Sequence, residues 1–421
     1  MRAADLFQRS LNKYRKSINA PYRKKDFISI LGTIIILAAI PLTVISARQA
    51  WTWLTRAAGP AAIEAENSTL SGPVIAGSDI NASGGKYVEF DSAGTSTSFQ
   101  PTAPYHATFF YPWSENPNTD GRWGYWNDNG HSPPNNWFSN YLPDPNPSAF
   151  DPTNELYSSN NYTIFKWQLG KLAEAKQEVG ISSWWGQGHK TDNAFKKYVT
   201  DFMKRADNSY PNFRWSIYYE NEGFGSPSVS QIASDLNYIK TNYIGEPSFL
   251  KVSGKPVVFV YGDEADSTSG CAMATRWKDG NANAGNSFYL VLKVFPGYAS
   301  CADQPNSWHQ YSPAARSDSQ APYSYAISPG FWLNGEAAPR LGRDLASFRS
   351  AVSAMVAANA TWKLTETWNE WGEGSSVEPG EEVNQTTSGS ATPNPSGAPF
   401  KNQYIDALNQ LLPALEGGTG L

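Results

Sequence analysis

Apolar and polar positions divide the 421-residue chain into parts of very different character. Residues 27–47 are an uncharged run rich in Ile and Leu, about the ~20 residues a helix needs to cross a bilayer. Eight basic residues precede it (Arg2, Arg9, Lys13, Arg15, Lys16, Arg23, Lys24, Lys25) against two acidic ones, whereas only Arg48 and Arg56 follow closely. That asymmetry predicts a cytoplasmic tail at 1–26, a single transmembrane signal anchor at 27–47, and the rest of the chain outside the cell membrane. Cleavage near Ala47 as a signal peptide is the competing reading, although a basic lead of this length is long for one. Residues 48–104 then read as a stalk, a short β appendage and a Ser/Thr/Pro linker.

From Tyr105 onward, short apolar runs alternate with stretches of helical spacing, the signature of βα units around a parallel sheet. Eight candidate strands stand at 107–113, 180–185, 214–219, 256–261, 288–295, 308–311, 323–328 and 362–368. Helical periodicity occupies 163–178, 193–205, 228–242 and 343–357, and a final helix follows the excursion at 386–399. Eight strands in an α/β pattern predict a (β/α)8 TIM barrel over 105–421, with its active site at the carboxyl ends of the strands.

Those strand ends are where aromatics and carboxylates gather. Tyr111 and Trp113 follow the first strand, Trp184 and Trp185 the second, and Tyr219, Glu220 and Glu222 the third. Asp263 follows the fourth, Trp332 the seventh, and Trp368-Asn369-Glu370-Trp371-Gly372-Glu373-Gly374 the eighth, with Glu378 just beyond. Two carboxyls three residues apart face opposite sides of an extended strand, so Glu370 and Glu373 converge only if the chain turns, which the two glycines permit. Such a pair, buried among indoles, suits glycosidic cleavage, because proximity and burial push the two pKa values apart. The bland reading is a solvated surface pair. The flanking tryptophans count against it, since indole faces hold sugar rings and are seldom exposed without use.

Composition narrows the classes further. The net charge of −5 gives no basic surface for nucleic acid, and 16 Trp, 22 Tyr and 20 Phe suit a carbohydrate binder as well as a bulky core. The four histidines lack ligand spacing, so no metal is expected, and no cofactor motif is present. Cys271 and Cys301 are the only cysteines, and outside the cell a disulfide between loops at opposite ends of the fifth βα unit is the expectation. The expected partner is a poly- or oligosaccharide, bound by a monomer held to the membrane through 27–47.

Two resemblances sharpen this. The segments at 62–70 and 82–90 resemble the opening strands of β-sandwich carbohydrate-binding modules, but too few residues follow to complete a sandwich, which implies a hairpin without its own sugar site. More extensively, Phe110-Tyr111-Pro112-Trp113 with Asn116-Pro117, Asp120-Gly121 and Trp126-Asn127 resembles the first-strand region of glycoside hydrolase family 99, the endo-α-mannosidases and endo-α-mannanases. Ser183-Trp184-Trp185-Gly186 does so too, and the run from Trp368 to Gly374 with Val377-Glu378-Pro379 is similar to that family's NEWHEG and IEP motifs. The resemblance implies a retaining barrel enzyme acting inside α-mannose-type chains. Glu370 would be the base that deprotonates the substrate's own 2-hydroxyl, and Glu373 the acid/base. Tyr111, Trp113, Trp184, Trp185, Tyr219, Glu220, Trp332, Trp368, Asn369, Trp371 and Glu378 are the candidate substrate contacts.

The chain also departs from the family. Ile217-Tyr218-Tyr219-Glu220 replaces a His-Ile-Glu-Pro-type third strand, residues 294–300 lack the expected pattern, and Gly372 stands where a histidine is usual. A catalytically inactive glycan-binding barrel and a polysaccharide-assembly enzyme are therefore the alternatives.

Overall fold

The computed structural model describes residues 74–78, 86–90, 99–144, 156–385, 391–393 and 400–414. The anchor expected at 27–47 lies outside the described residues. Among those described, no helix is long and apolar enough to cross a membrane. The chain divides into two compact units, Met1–Thr97 and Ser98–Leu421. In the first, Val74–Ser78 pairs antiparallel with Lys86–Phe90.

The second unit is built on eight parallel strands: β1 (Tyr105–Phe110), β2 (Val179–Trp184), β3 (Arg214–Tyr219), β4 (Lys255–Val260), β5 (Tyr289–Lys293), β6 (Ser307–His309), β7 (Ser324–Ile327) and β8 (Trp362–Thr365). They pair in the order β6-β5-β4-β3-β2-β1-β8-β7, and Ser317–Gln320 adds an antiparallel strand beyond β7. Among the described residues no ladder joins β6 to β7, so the barrel is nearly closed. Helices α1 (Tyr162–Glu174), α2 (Lys190–Thr200), α3 (Val229–Asn242) and α4 (Ser267–Asn283) follow β1 to β4. After β7 comes α5 (Leu345–Ala357), and after β8 comes α6 (Gln403–Leu411).

The departures from a regular (β/α)8 pattern fall at β5 and β6. A single turn of 3-10 helix, Tyr298–Ser300, follows β5, and the Ser317–Gln320 strand stands where a regular (β/α)8 barrel has its sixth helix. The 386–399 stretch, expected as a plain excursion, contains a short strand, Ala391–Pro393, paired with Gly380–Gln385, which in turn pairs with Tyr141–Pro143.

Strand parity sets the interior, because alternate residues face opposite sides of a sheet. At the bottom, Trp362 stacks on Tyr105 with ring centroids 4.5 Å apart, meets Phe259 at 4.8 Å, and donates its indole N–H to Ser307 at 3.1 Å. Farther up the strands, Phe109, Tyr218 and His309 form the next layer, with Phe109 and Tyr218 at 4.7 Å and Tyr218 and His309 at 5.5 Å. One step higher again come Tyr111, Glu220, Tyr261, Tyr311 and Glu366, at the carboxyl ends where a barrel's chemistry is placed. Residues of the other parity face the helices. Trp215 packs on Phe110 and Phe165, and it can lie across β2 only because position 180 is glycine, where a Cβ would sit 2.4 Å from the indole.

Cys271 and Cys301 form a disulfide with Cα atoms 5.3 Å apart. The expected placement needs correction. Cys271 lies in the first turns of α4 and Cys301 just after the turn that follows β5, so the bond ties two segments at the same, carboxyl end of the barrel. The reason is topological: a helix begins at the end where its preceding strand finishes.

Candidate active site

After β8 the chain is held by backbone bonds that bend it over the barrel. Trp368 N donates to Phe109 O at 2.7 Å, Glu370 N to Thr367 Oγ1 at 3.0 Å, and Gly374 N to Trp371 O at 3.1 Å, closing a turn at 371–374. Gly374 is required there. Its φ is +63°, and a Cβ would meet Trp332 N at 3.1 Å and Tyr141 at 2.6 Å. Arg343 fastens the far side, donating to Gly374 O at 3.1 Å and Ser376 O at 2.7 Å while its guanidinium lies 4.0 Å over Phe400.

This turn brings Glu370 and Glu373 to one place. Glu370 is 4 % exposed, and its Oε1 accepts the Tyr125 hydroxyl at 2.6 Å and the Gly372 N–H at 3.1 Å. Glu373 is half-buried and its Oε2 accepts the Tyr311 hydroxyl at 3.1 Å; that hydroxyl in turn accepts from Tyr111 at 2.9 Å. Burial raises both carboxyls above the usual range. For Glu370 the Glu373 charge adds to the rise while Tyr125 and Gly372 oppose it, and for Glu373 the Tyr311 hydroxyl and then Arg340 oppose it. The two donors on Glu370 favour its charged form, but burial and the Glu373 charge outweigh them. Glu370 is raised well above the usual carboxylate range and Glu373 to about 7, so the assignment of base and acid rests on the resemblance and not on this electrostatic order.

The other expected contacts separate into three groups. Tyr111, Trp113 and Glu220 lie at the pair. The Tyr111 and Trp113 rings are 4.7 Å apart and Trp113 stacks on Tyr125 at 5.1 Å. Glu220 sits near enough to Glu373 to feel its charge. Burial first, and that charge with it, push Glu220 up to about 8, against an opposing contribution from Ser183. Trp113 Nε1 and Glu220 Oε1 are buried without a hydrogen-bond partner, a costly arrangement that a hydroxyl-rich ligand would relieve.

Asn369, Trp371 and Glu378 support the turn from beneath. The Asn369 amide accepts from Tyr111 N at 2.7 Å and donates to Tyr111 O at 3.1 Å. Glu378, fully buried, accepts from Tyr157 Oη at 2.6 Å, Gln168 Nε2 at 2.7 Å and Trp371 Nε1 at 3.1 Å, and burial pushes it up to about 7 despite those donors. Trp368 is likewise fully buried. Trp332 bonds Glu373 O through its backbone N–H at 2.7 Å, while its indole donates to Glu336 O at 3.0 Å.

Trp184 and Tyr219 are not brought to the pair. Trp184 donates its indole N–H to Asp192 at 2.6 Å and Tyr219 its hydroxyl to Asp235 at 2.8 Å, so both face the helices, as their parity requires. Trp185 is partly exposed beside Phe224, with centroids 4.7 Å apart. Glu222 is tied to Arg276 and to Trp277 Nε1, the latter at 2.8 Å, and Asp263 is exposed. Sequence reasoning missed Tyr125 and Tyr311, the two hydroxyls that touch the pair. Tyr311 stands two residues past His309 in the inward parity, a signal that was available; Tyr125 sits in a loop with no periodicity. Among the described residues no group of three or more His, Cys, Asp or Glu could hold a metal ion.

Residues 101–286 match the family described as Glycosyl hydrolase family 99. The barrel is a family 99-like glycoside hydrolase. Its fold is similar to that of the family 99 endo-alpha-mannosidase from Bacteroides thetaiotaomicron, with a TM-score of 0.55 and 18% identity over 74% of this chain and 97% of that one. The structure of that enzyme in complex with bis-tris-propane is similar at 0.55 and 17% identity, with the same coverage. No curated protein matches the chain by sequence. The turn that carries Glu370 and Glu373 lies beyond the matched segment, so the convergence of the pair rests on its geometry.

Proposed function

We propose that the protein is a retaining, endo-acting glycosidase of α-mannose-type glycans, anchored by residues 27–47 with the barrel outside the cell. The observation that carries the chemistry is the pair itself: two carboxyls on one turn, each held by a different tyrosine hydroxyl, among buried aromatic rings. Glu370 accepts the proton of the 2-hydroxyl on the sugar whose bond is to be cleaved. The freed oxygen attacks the anomeric carbon of the same ring as the bond to the leaving sugar breaks, and Glu373 gives its proton to the departing oxygen. A strained 1,2-anhydro sugar remains. Glu373 then takes a proton from water, the water oxygen attacks the anomeric carbon, and Glu370 returns its proton to the 2-oxygen. Two inversions at one carbon leave its configuration retained, and each carboxyl ends as it began.

Aromatic faces suit the apolar faces of pyranose rings, and the unpartnered Trp113 Nε1 and Glu220 Oε1 suit hydroxyls. The test is hydrolysis of purified α-mannans and α-glucans by the full chain in detergent, with product lengths read by mass spectrometry. Internal cleavage of α-mannan supports the reading. Cleavage of α-glucan alone overturns the substrate, and binding without cleavage overturns the activity in favour of a glycan-binding barrel.

A further inference from the structure

Position 372 lies inside the pair, between Glu370 and Glu373, and is glycine. The packing leaves that site no room for a side chain. A Cβ there would stand 2.7 Å from Phe138 Cε1 and 3.1 Å from the Tyr125 hydroxyl oxygen. Tyr125 fills the space from the opposite side. It comes from the loop after β1, its ring is stacked on Trp113 and packed edge-on against Phe138 at 5.6 Å, and it is 1 % exposed. Its φ of +68° lies in the left-handed region that non-glycine residues avoid. Such a conformation persists only where the surroundings over-determine it, which is common at functional sites.

Contacts with Gly372 and Glu370 give the Tyr125 hydroxyl a direction. The Gly372 N–H donates to the Tyr125 oxygen, occupying its acceptor side, so the phenolic proton is turned toward Glu370 Oε1 at 2.6 Å. We infer that Tyr125 is a positioning residue for Glu370, taking over the space beside the carboxylate that position 372 does not fill, and holding it by one oxygen so that the other is left for proton transfer. The inference rests on the proposed role of Glu370 as base. The ionisable groups facing Glu370 are Glu373 on its own turn, Tyr111 just after β1, Glu220 just after β3, Tyr311 after β6, and Tyr125 itself. Of these, Tyr125 is the one that donates directly to it, and a donor to the charged form favours that form.

The experiment is the pH profile of kcat and KM on yeast α-mannan for the full chain and for Tyr125→Phe, which keeps the ring and removes only the hydroxyl. The acid limb of kcat should move up by roughly one pH unit, so that turnover falls about tenfold below the limb and recovers above it, with KM little changed. Incorporating 3-fluorotyrosine at position 125 makes a stronger donor and should move the limb the other way, which keeps the test decisive if the Phe variant folds poorly. An unmoved limb in both variants, or a loss equal at every pH, overturns the inference. Glu370→Gln separates this from failure of the base assignment: an active Glu370→Gln enzyme removes the premise, whereas an inactive one with an unmoved Tyr125→Phe profile removes only the role of Tyr125.

Discussion

Glu378→Gln should leave the protein folded and active and should make it more stable above neutral pH. Glu378 is fully buried and meets three donors: Tyr157 Oη and Trp371 Nε1 at Oε2, and Gln168 Nε2 at Oε1. A glutamine can keep its oxygen on the Tyr157 side and turn its amide nitrogen toward Gln168. The Gln168 amide oxygen, which is buried without a partner, accepts that nitrogen if its side chain flips. Burial raises Glu378 from 4.5 to about 7, so the folded state holds the proton longer than the unfolded chain does. Stability therefore falls as pH rises from 4.5 to about 7 and is level beyond. At 1.36 kcal/mol per unit that shift corresponds to about 3 kcal/mol, which the uncharged glutamine avoids. Urea denaturation at pH 5 and pH 8 measures it: the variant's advantage should be small at the first and about 3 kcal/mol at the second, at equal m-value. Glu378→Ala, which strands three donors, should instead cost on the order of 3 kcal/mol or more at either pH. A pH-independent difference for Glu378→Gln, or a tenfold loss of turnover in a stably folded variant, would refute the view of Glu378 as a strut.

Other expectations follow from features away from the pair. Cys271→Ser opens a loop with a sequence separation of 30 and should cost about 3 to 4 kcal/mol in urea denaturation; no change would mean the bond contributes nothing. Protease added to intact cells should remove the barrel, whereas a mature amino terminus near Arg48 would point to secretion. Deleting residues 60–97 should leave glycan affinity unchanged, and a large loss would show that the hairpin unit binds sugar.

How far the sequence could be read depends on what each element buries. Parallel strands covered on both faces appear as continuous apolar runs, so each of the eight predicted runs overlaps an observed strand. Helix α4 escaped notice because its packing demands glycine. A Cβ at Gly270 would stand 2.3 Å from Phe295, and one at Gly280 2.4 Å from Ile232, and both glycines weaken the helical pattern. The site was legible where parity continues past a strand, as from Phe109 to Tyr111 and from Tyr218 to Glu220. It was misread where two aromatics are adjacent, because Tyr218 faces inward and Tyr219 faces the helices. Tyr125 could not be found this way at all, since its place is set by contacts with Trp113, Phe138 and the turn after β8 rather than by any local period.

The division of labour between the two carboxyls is the central claim, and leaving-group dependence in Glu370→Gln and Glu373→Gln tests it most directly. Each substitution keeps shape and removes one proton donor or acceptor, so turnover of α-mannan should fall by at least ~10²-fold in both with binding largely kept. An aryl α-mannoside whose leaving group departs without protonation should restore the first step in Glu373→Gln. It should do nothing for Glu370→Gln, where the 2-hydroxyl still lacks its base. Equal rescue of both variants, or full activity in both on α-mannan, would contradict the assignment and move the search to Glu220 and Glu366, the other buried carboxyls beside Glu373.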